Sequence, residues 1–341
     1  MSLATALRDR DVAELPSRRD EDWRWTDLRG LIRILPQPSG PFVGDLGAGP
    51  FDELVTRVVT LANGRGEAVI YVPTGETAWV ALRVLSRGDG AHAARVSVTL
   101  APGARLHLFE TYEGEGGYVA QTSLTISLGE GASVERIVLA TDSPGGVSVS
   151  QAEVRLSPKA EFVQTVVTSG GRRQRIETRV AHPGGHASLR LDGVYLLHDK
   201  AHADLTTVVN HEGVDGLTEQ LTKGVVRDQA RGVFQGRIVV REGADRTDAK
   251  MGHHALVLSD RAEVDAKPEL EIYADDVACA HGNTVGALDE DALFYARQRG
   301  MTEADARALL TEAFIGQVID RIEQDEARDL VRAWAAERLR A

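Results

Sequence analysis

The sequence predicts a mainly β fold: a flattened, right-handed parallel β-helix of two sheets, flanked by N- and C-terminal helical segments. Three observations lead there. From about residue 65 the chain alternates apolar and polar residues in run after run, as at 94–100, 105–111, 121–128 and 147–156. This is the period-two pattern of half-buried strands. No helical stretch of convincing length interrupts these runs, which argues against a doubly wound α/β architecture. Beneath them lies a repeat in which Gly or a polar residue is followed by alanine, at Ala104, Ala132, Ala160, Ala187, Ala201, Ala230, Ala244 and Ala262. The successive separations are 28, 28, 27, 14, 29, 14 and 18 residues, nearly all close to 14 or its double. A fixed period marks a solenoid, and a turn every 14 residues within a 28-residue coil means two strands per coil. Seven or eight coils rising about 4.8 Å each make a rod roughly 35 Å long. An antiparallel sandwich is the competing architecture. The clearest hairpin dipeptides, Asp192-Gly193 and Asp215-Gly216, are few for it.

The order of elements follows. Residues 1–62 read as an N-terminal helical segment and linker, with Trp23 and Trp25 as a packing anchor in a charged setting. Residues 36–50, rich in Pro and Gly, form a connector. The apolar spacing over 51–61 suggests a short helix. The β-helix core is expected over 63–288 and a helical domain over 289–341. Within that tail, Asp289 can cap a helix that stops at Gly300. Thr302 with Asp305 opens a second in the manner of a capping box. Leu330, Val331 and Trp334 either continue its face or start a third. Solenoids leave open edges at their ends, so these helices are expected to cover one, to dock a partner, or both.

Composition narrows the function. A formal charge of −12 disfavours nucleic acid and anionic membrane surfaces. The single cysteine cannot close an internal disulfide, and no signal-peptide core or membrane-length apolar run occurs. The expectation is a soluble, cytoplasmic protein. No Gly-x4-Gly-Lys-Ser/Thr, Gly-x-Gly-x-x-Gly, Gly-x-Ser-x-Gly or His-Glu-x-x-His pattern is present, which points away from catalysis and toward a scaffold.

The strongest chemical signal is Cys279-Ala-His281, at the end of the repeats and beside Asp275 and Asp276. Two residues apart on a strand, thiol and imidazole emerge on one face and can share a borderline metal. Two ligands do not close such a site. Cys279 reads equally as an inert buried thiol and His281 as a hydrogen-bonded turn residue. His253 and His254 face opposite sides of a strand, in structural or exposed roles. His186, His198, His202 and His211 receive no ligand role.

Three blocks resemble one family. Leu15-Pro-Ser-Arg-Arg-Asp-Glu-Asp-Trp-Arg-Trp-Thr-Asp-Leu28, the stretch from Arg246 through Gly282 and its continuation over 284–300 are similar to the SufB/SufD family of iron–sulfur cluster assembly scaffolds. The first block and the lone cysteine favour the SufD branch over SufB. The N-terminal helical part is short for the family. The resemblance implies a non-catalytic scaffold subunit of a SufB–SufC–SufD complex. It would bind a SufB-like paralogue through the β-helix and a SufC-like ATPase through the C-terminal helices, with a homodimer open to the isolated chain. It implies no permanent cofactor, but a transient iron or iron–sulfur cluster at the SufB interface, with His281 and, less directly, Cys279 as ligands. The alternatives are a SufB-like paralogue, a β-helix enzyme acting on carbohydrate or acyl substrates, or a self-associating structural solenoid.

Overall fold

The computed structural model describes residues 2–65 and 67–340. Its strands are β1 (Arg57–Ala62), β2 (Glu67–Val72), β3 (Thr77–Arg87), β4 (Ala91–Leu100), β5 (Arg105–Glu115), β6 (Val119–Leu128), β7 (Ser133–Thr141), β8 (Val147–Arg155), β9 (Glu161–Thr168), β10 (Arg173–His182), β11 (Ser188–Leu197), β12 (His202–His211), β13 (Leu217–Val226), β14 (Arg231–Val240), β15 (Thr247–Val257), β16 (Glu263–Ile272) and β17 (Val277–Gly286). Odd-numbered strands form one nine-stranded sheet in chain order, and even-numbered strands form an eight-stranded sheet. Neighbours in both sheets run parallel, with Arg105 opposite Ser133 and Ser133 opposite Glu161. The chain is a two-sheet β-solenoid of about eight turns.

The repeated alanines have a mechanical reason. The N–H of each of the eight bonds to the carbonyl three residues back, closing a tight corner between strands. Where a residue inside such a corner takes positive φ, Gly103, Gly131 and Gly243 supply it readily, while Lys159, His186, Asp199 and Asp228 adopt it elsewhere. The alanine methyl then points into the core, where Ala132, Ala187, Ala230 and Ala244 are fully buried.

The space between the sheets is filled by aliphatic rows, interrupted by buried polar groups. Arg136 forks onto Glu110 at 2.6 and 2.8 Å and donates to Gln164 at 2.6 Å. Each partner sits one coil along, so a buried charge is matched within the stack.

Both outer faces are covered in part. On the eight-stranded sheet lie α1 (Leu3–Asp9), α2 (Leu28–Leu31) and the loops between them; Leu3, Leu15, Leu28 and Ile32 pack on Val119, Val147 and Val149. Trp23 is an anchor there: the Arg175 guanidinium lies 4.4 Å from its ring centre. Arg175 also bridges Asp204 at 2.8 Å, and Thr26 donates to the same carboxylate. On the nine-stranded sheet, α3 (Glu290–Gln298), α4 (Glu303–Ile319) and α5 (Asp325–Arg340) follow the strands. Asp289 caps α3 through the N–H groups of Asp291 and Ala292, and Thr302 caps α4 through that of Asp305. Leu330, Val331 and Trp334 belong to a separate helix, α5.

Two expectations need correction. Residues 51–61 do not form a helix: one 3-10 turn, Asp52–Leu54, leads into strand β1. The β-branched run Val58-Val59-Thr60 pairs in register with Ala81, Leu82 and Arg83 of β3, and that pairing overrides the apolar spacing. Nor do the C-terminal helices close the solenoid's end. Ile315, Val318 and Ile319 of α4 with Ala327, Val331 and Ala335 of α5 pack sideways onto Phe109, Ile137, Val167, Val194 and Val225. They cover the flank and leave β17 without a cover.

Candidate functional site

The last coil is β16, a turn at 273–276 and β17, and it terminates both sheets. Pro268 sits in β16, tolerable because an edge strand need not donate on its outer side. Cys279 pairs with Ala249 and His281 with Met251 on β15. Since Ala249 and Met251 belong to the interior row, the row Val277, Cys279, His281, Asn283 and Val285 is the interior row of β17. Its first two members pack on the core. Beyond them the row opens: His281 and Asn283 are exposed and Val285 is 47% exposed. Ile272 and Tyr273 add apolar surface at the same end.

The structure therefore brings Cys279 and His281 onto one face of an unpaired edge strand. Cys279 is half-buried, and burial pushes its thiol above its ordinary pKa, against a weaker opposing contribution from the Ala249 backbone. The resting sulfur is the protonated thiol, so metal uptake there requires loss of that proton. Among the described residues, no group of three or more His, Cys, Asp or Glu side chains is placed to hold a metal ion. Asp275 and Asp276 lie in the preceding turn, where the Asp276 carbonyl is held by the Arg246 N–H.

His253 and His254 divide as their positions require. His254 is on the outer face and meets Thr284 at 2.6 Å. His253 is interior, stacked on Phe234 at 4.7 Å, with burial holding its pKa at about 4. Its neutral ring joins Asn283 Oδ1 at 2.7 Å through Nδ1 and the Tyr195 hydroxyl at 2.9 Å through Nε2. An acceptor at Nδ1 places the ring proton there and leaves Nε2 to accept from tyrosine. Asn283 escaped the sequence reading, although its spacing of two from His281 places it on the same row. The His253 contact that fixes it comes from the neighbouring coil. Of the remaining histidines, His202 and His211 are buried while His186 and His198 sit at corners.

The family model for "SUF system FeS cluster assembly, SufBD core domain" matches residues 83–314. The iron-sulfur cluster assembly protein SufD of Escherichia coli is 32% identical over 63% of this chain and 51% of its own length. A SufBD family iron-sulfur cluster assembly protein of Synechocystis is 32% identical over 58% of this chain and 44% of that protein. The chain thus matches about half the length of these two relatives. One from Mycobacterium tuberculosis is 26% identical over 95% of this chain and 89% of its own. With the matched residues spanning most of the solenoid and reaching into α4, the chain belongs to the SufBD family of iron–sulfur cluster assembly proteins.

Proposed function

We propose that this chain is a cytoplasmic, SufD-type scaffold subunit without catalytic residues of its own, working in a SufB–SufC–SufD complex. One observation supports this above others: the inner row of the final strand, with Cys279 and His281 on it, ends at an open, unpaired edge. An edge strand offers free backbone N–H and C=O groups, so a second β-solenoid can continue the sheet there. A SufB-like paralogue docking in this way would bring the further ligands that two side chains lack.

In that joint site the chain's residues have definite tasks. His281 lends the lone pair of a neutral ring nitrogen to iron. Cys279 releases its thiol proton to solvent as its sulfur binds. Val277, packed on the core ahead of them, holds β17 in place while the partner closes over it. Iron, or the nascent cluster, is cargo: held while the interface is closed and passed on afterwards. On the flank, Phe294 and Tyr295 of α3 and Leu309 of α4 are exposed at 64%, 59% and 49%. That apolar surface suits docking of a SufC-like ATPase.

The test is cluster formation in the complex co-expressed with its partners. His281→Ala is expected to lower iron and acid-labile sulfide in the purified complex while leaving far-ultraviolet circular dichroism unchanged. Unchanged cluster yield would remove the ligand role. A second copy of this chain is the alternative occupant of the open edge, and native mass of the purified assembly separates it from the paralogue.

A further inference from the structure

The largest cleft described in the molecule, about 970 Å³, lies on the side of the solenoid where odd strands turn into even ones, and reaches as far as the corner before β16. Its origin is a change of corner. The corners at 198–201 and 227–230 are closed turns ending in Ala201 and Ala230. The preceding corner, at 169–172, lacks that alanine, and Gly171 instead exchanges backbone bonds with His202 of the next coil. The chain is drawn inward there, where a Cβ on Gly170 or Gly171 would strike its neighbours. The last turn of α5 forms another wall of the hollow.

We infer that this cleft binds a phosphate-bearing small molecule through Arg172, Lys200 and Arg261. These three side chains line it from the first, second and fourth of four successive corners, and among the described residues none of the three makes an ion pair or side-chain hydrogen bond. The acids in the same walls each have a partner other than these three cations. Asp142 accepts from Tyr118, Ser148 and Gln174. Asp199 pairs with His198 at 3.1 Å, Asp228 accepts the Asp199 N–H at 3.0 Å, and Glu337 pairs with Arg338 at 3.4 Å. Arg338 is itself spent, lying over the Trp334 ring at 3.6 Å and donating to the Trp334 carbonyl. Three cations without a carboxylate of their own, lining one hollow in a chain of net charge −12, match a ligand of two or more negative charges. The volume is that of a ligand-sized pocket, and much of its wall is backbone and aliphatic stem, which leaves room for a body beyond the phosphates.

Isothermal titration of the full chain with inorganic pyrophosphate, ADP and adenosine tests this. Pyrophosphate and ADP are expected to bind saturably and adenosine not to. The Arg172→Ser/Lys200→Ser/Arg261→Ser variant should bind both at least about tenfold more weakly at unchanged Tm, since three exposed corner side chains carry little of the fold. ADP binding more tightly than pyrophosphate means a nucleoside body is seated; equal binding means phosphate alone is read. Both outcomes support the site. Absence of saturable binding by either anion, equal binding by adenosine, or wild-type affinity in the triple variant would overturn it.

Discussion

The two ends of the solenoid are built from the same repeat and finished in opposite ways. At the first end the inner rows of β1 and β2 are sealed: Leu61, Ala68, Ile70 and Val72 are all buried. The connector at 36–50 laces that end down. Ser39 joins β4 through the Ala91 carbonyl, the Asn63 amide reaches the Gly40 carbonyl, and Arg83 holds the carbonyls of Leu46 and Gly47. At the last end the equivalent inner row carries a half-buried Cys279 and then His281, Asn283 and Val285, all exposed. Free strand edges invite association, and proteins ordinarily blunt them. A chain that buries the inner row at its first end, yet sends its C-terminal helices along the flank, leaves the inner row of its last end the more open to another subunit.

The largest test of that contrast is stability. Ile70→Ala removes a fully buried inner-row side chain and is expected to cost about 2–5 kcal/mol. Val285→Ala, at the same kind of row position on the open end, should fall within about 0.5 kcal/mol. Denaturant midpoints at constant slope measure both. Equal losses would mean that the last coil is as tightly packed as the first.

Acid should act on both ends through buried neutral imidazoles. His92 at the closed end is held by the Ser39 and Ser86 hydroxyls, each at 2.9 Å, and burial lowers its pKa to about 4. His253, two strands from the open end, is lowered equally and for the same leading reason. Unfolding releases each ring to its ordinary value near 6.5. The unfolded chain therefore binds more protons below that pH, so the neutral rings' contribution is complete above about 6.5 and falls away as pH drops to about 4. His182, His202 and His211, lowered to about 4, 4 and 3, add to the slope. Tm should decline over this window, and His92→Gln should flatten the decline by one proton's worth. An unchanged slope in that variant would mean that His92 is protonated in the folded state.

What the sequence made legible was what repeats. The alanine corners recur because tight corners on both sides of the solenoid close in the same way around a small residue, so the period and the two-sheet solenoid could be counted directly. The helix caps at Asp289 and Thr302 were equally readable, being local chemistry. The errors lay where a distant partner decides. Residues 51–61 have helical spacing, but β3 lies alongside and makes a strand of them. The final helices carry an amphipathic pattern that cannot say whether it faces an end or a flank. At the candidate site the Cys-x-His spacing gave the shared face correctly, while its exposure depended on whether anything stacks beyond β17. Glu110, Arg136 and Gln164 had a usable signal, polar residues returning one coil apart within an apolar row, but only once the coil length was known.

The smallest expected effect is also the most local. Cys279 is the only thiol in the chain, so alkylation reports on the open end alone. Its thiol sits above the ordinary range because burial disfavours the thiolate, and Asp248 nearby acts in the same direction. Reaction with iodoacetamide near neutral pH should therefore be a few-fold slower than that of a free cysteine and should accelerate as pH rises past 9. Asn283→Ala is the sharpening variant: it removes the His253 contact that steadies β17, so alkylation should quicken while Tm moves little. A partner that pairs with β17 should suppress the reaction in both proteins. Reaction at the free-cysteine rate in the unaltered chain would show that the row is open as far back as Cys279, and the boundary between its packed and open parts would then have to be placed before it.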